Sequence, residues 1–247
     1  MDIFSWSPIL LTLPFILIGV AVYFLGVFCL SIFARQAKRN PLSIPVATFV
    51  GTITTAWALS LGFTAADVWS VNARATQVAA EERSSMMRLA GMVKPEALDS
   101  AELVTGLKAY KDASAADEWH NANLSPARSV EQALQHIRLG LIGLSKADVA
   151  DPIIGQMAQD FDELQDARNS RLAIGAGSVN QLKWYLVLFL TMLSAVVIGA
   201  VHADKPKAGR KAIAMFAVTA CVSLWILALH TNPYVGVAQV TLGDARI

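Results

Sequence analysis

The sequence predicts an all-α membrane protein in which two transmembrane helical hairpins, four spans in all, flank a helical extramembrane domain. Of its 247 residues, 55% are hydrophobic although 16% are charged, and the mean hydropathy is +0.48. The apolar residues are not spread evenly, because four runs are each long enough for a span of about 20 residues. These runs are Pro8–Ala34, Pro45–Ala66, Leu182–Val201 and Ala212–His230.

The four runs divide the chain into a first transmembrane hairpin (1–66), a helical extramembrane domain (67–181), a second hairpin (182–231) and a short C-terminal tail (232–247). The first run is too long for the apolar core of a signal peptide, and no basic residue precedes it, so we expect it to be a span. The extramembrane domain carries 11 basic and 16 acidic residues, a formal charge of −5. We expect such an acidic domain not to bind nucleic acid.

The second run continues without interruption into the extramembrane domain. No Pro or Gly follows Gly62 before Arg88, so we expect one long helix that leaves the bilayer and ends at Lys94-Pro95. The rest of the domain has helical apolar spacing and helix start signals. We predict further helices over Leu103–Tyr110, after Ser125-Pro126 and from Asp151-Pro152, a hinge over Ala173–Ser178, and an extended tail over Val235–Leu242.

One face of the second span is small and hydroxylated. A helical period of 100° per residue places four candidate pore-lining residues on this face, Thr48, Thr52, Thr55 and Leu59. The opposite face carries bulky residues such as Ile53 and Trp57, which suit lipid or other helices. Two interpretations of the hydroxylated face stay open. Its hydroxyls return hydrogen bonds to the backbone of a tightly packed helix, or it lines a permeation path in which Leu59 is a hydrophobic constriction.

Four charged residues recur every seven positions just beyond the membrane: Asp67, Arg74, Glu81 and Arg88. A seven-residue spacing drifts by only about 20° per heptad, so these residues share one face of the long helix. We interpret this charge stripe either as a solvated or intersubunit surface or as the vestibule of a pore. The chain has no catalytic constellation and no Cys/His metal spacing, so we predict no enzyme, no cofactor and no metal site.

The two connectors within the hairpins are short and basic. Residues 35–44 and 202–211 hold seven Lys and Arg residues and one acid, Asp204. Positive charge in short loops marks the cytoplasmic side of a membrane. We therefore predict cytoplasmic connectors, with the helical domain and both termini in the periplasm.

Three stretches resemble the signature of a bacterial membrane-protein family of unknown function that is called bestrophin-like. The first is LGFTAADVWSVNARATQVAAEERSSMMRL, and its matching residues are Gly62, Phe63, Trp69, Arg74, Glu81, Glu82, Arg88 and Leu89. The second is DARNSRL, with Arg168 and Arg171, before the third span. The third is NPYVG, Asn232–Gly236, after the last span.

The resemblance implies kinship with bestrophins, which are pentameric anion channels whose second span lines the pore and whose helical insert is cytosolic. We therefore predict a homo-oligomeric ion channel of a bacterial inner membrane, with lipid and inorganic ions as its partners. The alternative is a non-conducting membrane sensor or scaffold whose acidic helical domain binds a partner. The cytosolic insert of bestrophins and the periplasmic side predicted from charge disagree, so the resemblance and the charge bias make opposite predictions for topology.

Overall fold

The computed structural model describes residues 8–39, 47–119, 125–147, 149–176, 181–235 and 239–243. Within these ranges the chain is helical, with no strand, and the all-α prediction is confirmed. The helices are α1 (Pro8–Arg39), α2 (Ala47–Met92), α3 (Ala101–Ala113), α4 (Arg128–Ser145), α5 (Asp151–Ala176), α6 (Gln181–Val201) and α7 (Pro206–Leu229). A π-helical turn, Ser114–Glu118, follows α3 directly.

The chain forms two compact units. The membrane unit contains Met1–Ser70 and Val179–Thr231, and the helical unit contains Val71–Ser178 and Asn232–Ile247. The long helix α2 supplies residues to both units. The domain boundaries predicted after residues 66, 181 and 231 stay predictions.

In the part of the chain that the structure describes, four helical stretches are long and apolar enough to cross a membrane, which confirms the predicted number of spans. They are Leu10–Arg39, Thr48–Met92, Asp151–Val201 and Pro206–Leu229. The third stretch includes α5, residues 177–180, which lie outside the described part of the chain, and α6. Its apolar part is α6, where the spanning composition begins near Leu182.

Glycines bring the backbones of the membrane unit close together. α1 packs along α6 and α7, around a core that includes Val22, Ala195 and Ala217. A Cβ added to Gly199 would lie 2.9 Å from the carbonyl oxygen of Gly26, so α6 and α1 touch through their backbones. Small residues allow this close approach where lipid offers no hydrophobic driving force between helices.

The helical unit is built by the apolar stripes of α2 to α5. Met86, Leu107, Ile137, Met157 and Leu164 are all buried in one core. Burial of these stripes drives the folding of amphipathic helices.

Most predicted helix boundaries agree with the structure. α2 ends at Met92, just before Lys94-Pro95, and α5 begins at Asp151. α4 begins two residues after Pro126, because Ala127 is extended and its N–H donates to Glu118 Oε1 at 3.0 Å. α5 continues to Ala176 through most of the predicted hinge, whose last two residues lie outside the described residues. In the tail, residues 239–242 have no strand, and residues 236–238 lie outside the described chain.

Candidate functional site

The hydroxylated face of α2 is exposed on the membrane unit. Thr48, Thr52, Thr55 and Leu59 all lie on the surface of the chain, and Leu59 keeps 56% of its area exposed. Gly51 and Gly62 have no atom within 4 Å of an added Cβ. In the single chain this face is therefore exposed at all four candidate pore-lining residues, with open space beside Gly51 and Gly62.

The opposite face of α2, for which lipid or other helices were expected, packs at Trp57 against other helices of the chain. Trp57 Nε1 donates a hydrogen bond of 2.9 Å to Thr191 Oγ1 on α6. The Trp57 ring also meets Phe216 of α7 edge to face, with 5.1 Å between centroids. An indole N–H in an apolar medium needs an acceptor, and α6 supplies one. Trp57 thus ties the bulky side of α2 to α6 and α7.

The back-bonding that we considered for the hydroxylated face is observed at neighbouring threonines. Thr54 Oγ1 donates to the carbonyl oxygen of Val50 at 2.9 Å, and Thr64 Oγ1 donates to that of Ser60 at 2.9 Å. Both bonds follow the four-residue pattern expected for hydroxyls in a span. Neither threonine belongs to the four candidate pore-lining residues.

The four residues of the charge stripe have different surroundings. Asp67 pairs with Lys183, and Glu81 Oε1 accepts a hydrogen bond of 2.9 Å from Gln77 Nε2. Arg88 pairs with Asp160 at 2.8 Å and with Glu163. Its hydrogen bond to Asp160 is the main cause that raises its pKa.

Arg74 is exposed. In the single chain, at least Asp67 and Arg88 are therefore engaged by other helices, and the vestibule function of the stripe stays a prediction.

A buried cluster of two arginines and two glutamates lies in the helical unit. Arg171 Nε donates to Glu82 Oε2 at 2.7 Å, and Arg171 Nη2 donates to Glu118 Oε2 at 2.8 Å. Arg168 Nη2 donates to Glu118 Oε1 at 2.5 Å. All four side chains are at most 6% exposed. The cluster joins α2, α5 and the π-helical turn, and its formal charges cancel.

Aromatic residues surround this cluster. The guanidinium of Arg171 lies 4.5 Å from the centroid of the Trp119 ring, within cation–π distance. Tyr110 OH donates to Glu82 Oε1 at 2.7 Å. Tyr234, from the tail, meets Trp119 edge to face at 5.7 Å between centroids.

Burial and charge shift the pKa values of these groups. Burial, with the adjacent Glu82 carboxylate, raises the pKa of Tyr110 well above its usual value. For Glu118, burial opposes ionisation, but hydrogen bonds from Arg168 and the Ala127 amide prevail and lower the pKa. The pKa of Arg171 is raised, since its attraction to Glu82 outweighs desolvation. The lowered pKa of Glu118 and the raised pKa of Arg171 both favour the ionised forms of these two groups.

Residues 16–243 match the model of the bestrophin-like domain. The chain belongs to the bestrophin-like family. Solved structures agree with this fold. A crystal structure of a bacterial bestrophin homologue from Klebsiella pneumoniae, phased with zinc, is 14% identical with a TM-score of 0.72, and the match covers 92% of each chain. A crystal structure of a membrane protein with a proline-to-alanine substitution is 14% identical, with a TM-score of 0.73 and 93% of each chain covered. No curated protein matches the chain.

The resemblance to the bestrophin-like family on which the prediction was based is thus confirmed, and its signature residues meet in space. Glu82 comes from the first stretch, Arg168 and Arg171 from the second, and Tyr234 from the third. Three stretches that lie far apart in the sequence therefore build one buried cluster. In this bestrophin-like chain their shared role is to hold α2, α5 and the tail in one helical unit.

Glu118 of the cluster, and Tyr110 and Trp119 beside it, were not predicted. Tyr110 was read only as part of an apolar stripe, and Glu118 and Trp119 were not singled out. A signal did exist, because Arg168 and Arg171 are three residues apart and share a helix face with buried Leu164. Two arginines on a buried face require carboxylate partners, but the sequence does not say which of 16 acids supplies them.

The helical unit also has an apolar cleft of about 480 Å³ on its surface. Met92, Leu98 and Ile153 are among its lining residues. Among the described residues, no group of three or more His, Cys, Asp or Glu side chains is placed to hold a metal ion.

Proposed function

We propose that this bestrophin-like chain is one subunit of a homo-oligomeric ion channel in a bacterial inner membrane, with the hydroxylated face of α2 lining the pore. One observation carries the proposal. The face of α2 that holds Thr52, Thr55 and Leu59 is exposed, whereas the opposite face is tied to α6 and α7 through Trp57.

The burial of the spans supports an assembly around α2. In the most apolar stretch of α2, 6% of the residues are buried within the chain, compared with 22% in α1 and 33% in α7. One subunit has no space for an aqueous path, so conduction needs several copies of α2 around an axis. Hydroxyls would then meet water in the lumen, and a ring of Leu59 side chains would form a constriction that gates by dewetting. Family resemblance favours five copies.

Ion flux into proteoliposomes tests the proposal. Leu59→Ala widens the constriction and should raise flux. Thr55→Asp puts a charge in water, so this variant should assemble and change flux or selectivity. Ile53→Asp puts the charge on the packed face, where it is costly, and should impair assembly. Flux equal to that of empty vesicles, for wild type and for correctly assembled Leu59→Ala, would reject the pore.

The alternative is a non-conducting sensor or scaffold whose acidic helical domain binds a partner. The apolar cleft beside Met92, Leu98 and Ile153 favours it, because such a cleft offers a surface for a protein partner. The flux assay separates the two functions, because a channel must conduct ions and a scaffold need not.

A further inference from the structure

The two short connectors bring seven exposed basic side chains to one end of the membrane unit. α1 ends at Arg39, and a turn after Val201 leads into α7 at Pro206. The basic residues are Arg35, Lys38, Arg39, Lys205, Lys207, Arg210 and Lys211, all exposed. The connectors contain one acid, Asp204. Seven cations and one carboxylate leave a net charge of +6 at this end.

Little of this charge is neutralised within the chain. Among the described residues, only Lys205 has a carboxylate within 4.0 Å, that of Asp204. Both side chains are largely exposed, at 77% and 62%, so the pair is screened by water. The other six cations make no ion pair with any part of the chain that the structure describes. Asp204 is therefore the one internal competitor that an anion from outside the chain meets among the described residues.

A cleft of about 410 Å³ lies within this basic end. Arg35 and Lys38 of α1 line it together with Asp204 and Pro206 from the turn before α7. Tight packing fixes this turn, because a Cβ on Gly209 would lie 2.7 Å from Cβ of His202 and 3.0 Å from Leu30.

The start of α7 adds a second attraction for anions. The side chain of the N-cap residue Lys205 makes no capping hydrogen bond. The first N–H groups of a helix have no partner within the helix, and the helix dipole favours negative charge there. Pro206, in the first turn, also lines the cleft. The cleft thus combines two basic side chains with an uncapped helix N-terminus.

One face of α1 explains why the anion would belong to a lipid. Phe28, Ile32 and Arg35 are spaced by four and three residues, so they follow one another on the same face. Phe28 is 63% exposed and Ile32 is 44% exposed. This apolar strip leads directly to the basic cleft. An acyl chain of a phospholipid can lie along the strip while the lipid headgroup reaches Arg35. A free phosphate has no apolar part that could contact the strip.

We propose that the cleft binds the headgroup of an anionic phospholipid in the leaflet that the connectors face. Arg35 and Lys38 contact the phosphate, and the exposed apolar side chains of α1 contact an acyl chain. Basic pockets between spans are suited to such headgroups. Binding of the lipid at this cleft requires no ion conduction, and it can occur whichever side of the membrane the connectors occupy.

Native mass spectrometry of the full-length protein, taken from vesicles with equal phosphatidylglycerol and phosphatidylcholine, tests the proposal. Wild type should retain phosphatidylglycerol preferentially. Arg35→Gln with Lys38→Gln should reduce this retention by about tenfold or more, since each basic residue near an anionic surface contributes roughly fivefold. The matched control, Lys94→Gln with Arg128→Gln, removes equal charge from exposed positions of the helical unit and should retain the lipid.

Asp204→Asn should increase the retention of phosphatidylglycerol, because it removes the one carboxylate of the connectors. An excess of inorganic phosphate should displace little phosphatidylglycerol. The proposal is overturned if both lipids are retained equally by wild type. It is also overturned if the control pair loses as much lipid as the cleft pair, if Asp204→Asn lowers retention, or if phosphate displaces the lipid fully.

Discussion

Two tyrosines of the helical unit have opposite surroundings at their hydroxyl groups. Tyr110 OH donates to the buried Glu82 carboxylate at 2.7 Å. Tyr234 OH is buried with no hydrogen-bond partner among the described residues. Both rings are fully buried. Their hydroxyl groups should therefore contribute to stability with different signs.

Removing each hydroxyl measures this difference. Tyr110→Phe should lower the free energy of unfolding by about 1.5–3 kcal/mol, because a hydrogen bond to a charged group is lost in a buried site. Tyr234→Phe should leave stability unchanged or raise it, because it removes a buried polar group that has no partner. Thermal unfolding of the purified protein in detergent checks both variants. Equal destabilisation by the two substitutions would contradict these hydrogen-bond assignments.

Stability should fall at high pH because of Tyr234. Burial raises the pKa of Tyr234 to about 12, from 10.0. The raised pKa favours the neutral hydroxyl in the folded state. Ionisation of Tyr234 therefore leaves the free energy of unfolding unchanged below pH 10 and lowers it as the pH rises towards 12. The melting temperature of wild type should decline over this interval more steeply than that of Tyr234→Phe. Parallel declines would show that Tyr234 does not titrate as its burial requires.

At the scale of residues, the sequence predicts some of the buried charged residues but not how they pair. Glu82, Arg168 and Arg171 were recognisable from the family signature, but their pairing was not. Glu118 ends the π-helical turn, and its buried carboxylate accepts a hydrogen bond from Arg168. No periodic pattern precedes such a turn, so neither Glu118 nor Trp119 could be found from spacing.

At the scale of helices, hydropathy predicted the spans and left their faces undecided. Four apolar runs were sufficient to find α1, α2, α6 and α7. Side-chain size did not tell which face of α2 meets lipid, since lipid tails and neighbouring helices are equally apolar. For Trp57 the sequence left both lipid and other helices open, and the structure shows contact with α6 and α7. Thr191, its acceptor, lies 134 residues further along the chain, and local pattern cannot connect the two.

One methyl group added at Gly199 should disturb the contact between α6 and α1. In Gly199→Ala, the new Cβ lies 2.9 Å from the Gly26 carbonyl oxygen, which belongs to the backbone and cannot rotate away. We expect a loss of about 1–3 kcal/mol in stability from this overpacking. Gly155→Ala on α5 is the control, because its Cβ meets nothing within 4 Å and alanine favours a helix. Melting temperatures of both variants in detergent test the contact, and a tolerated Gly199→Ala would contradict it.

For the whole molecule, two features of the sequence predict opposite orientations in the membrane. The basic connectors predict a cytoplasmic position for themselves, whereas kinship with bestrophins implies a cytosolic helical insert. Burial and contacts within one chain do not depend on this choice. Oligomer formation is equally independent of the contacts within one chain, so both need measurements on the whole assembly.

Thiol labelling in intact spheroplasts tests the topology. The background replaces Cys29 and Cys221 with alanine, and the probes are Ala109→Cys on α3 and Ala208→Cys on α7, both at exposed positions. An impermeant maleimide should label position 109 in intact spheroplasts and position 208 only after lysis. Labelling of position 208 with protection of position 109 would reverse the orientation and agree with bestrophins.

The central claim is that one face of α2 meets water inside an assembled pore. In the same cysteine-free background, Thr55→Cys lies on the exposed face and Ile53→Cys lies on the half-buried face that carries Trp57. Both variants are reconstituted in proteoliposomes, and ion flux is recorded before and after addition of a small water-soluble thiol reagent.

We predict that the reagent sharply reduces flux through Thr55→Cys, because its adduct narrows the lumen, and leaves flux through Ile53→Cys unchanged. Equal sensitivity of the two variants, or complete modification of Thr55→Cys without any change in flux, would contradict a pore lined by this face of α2.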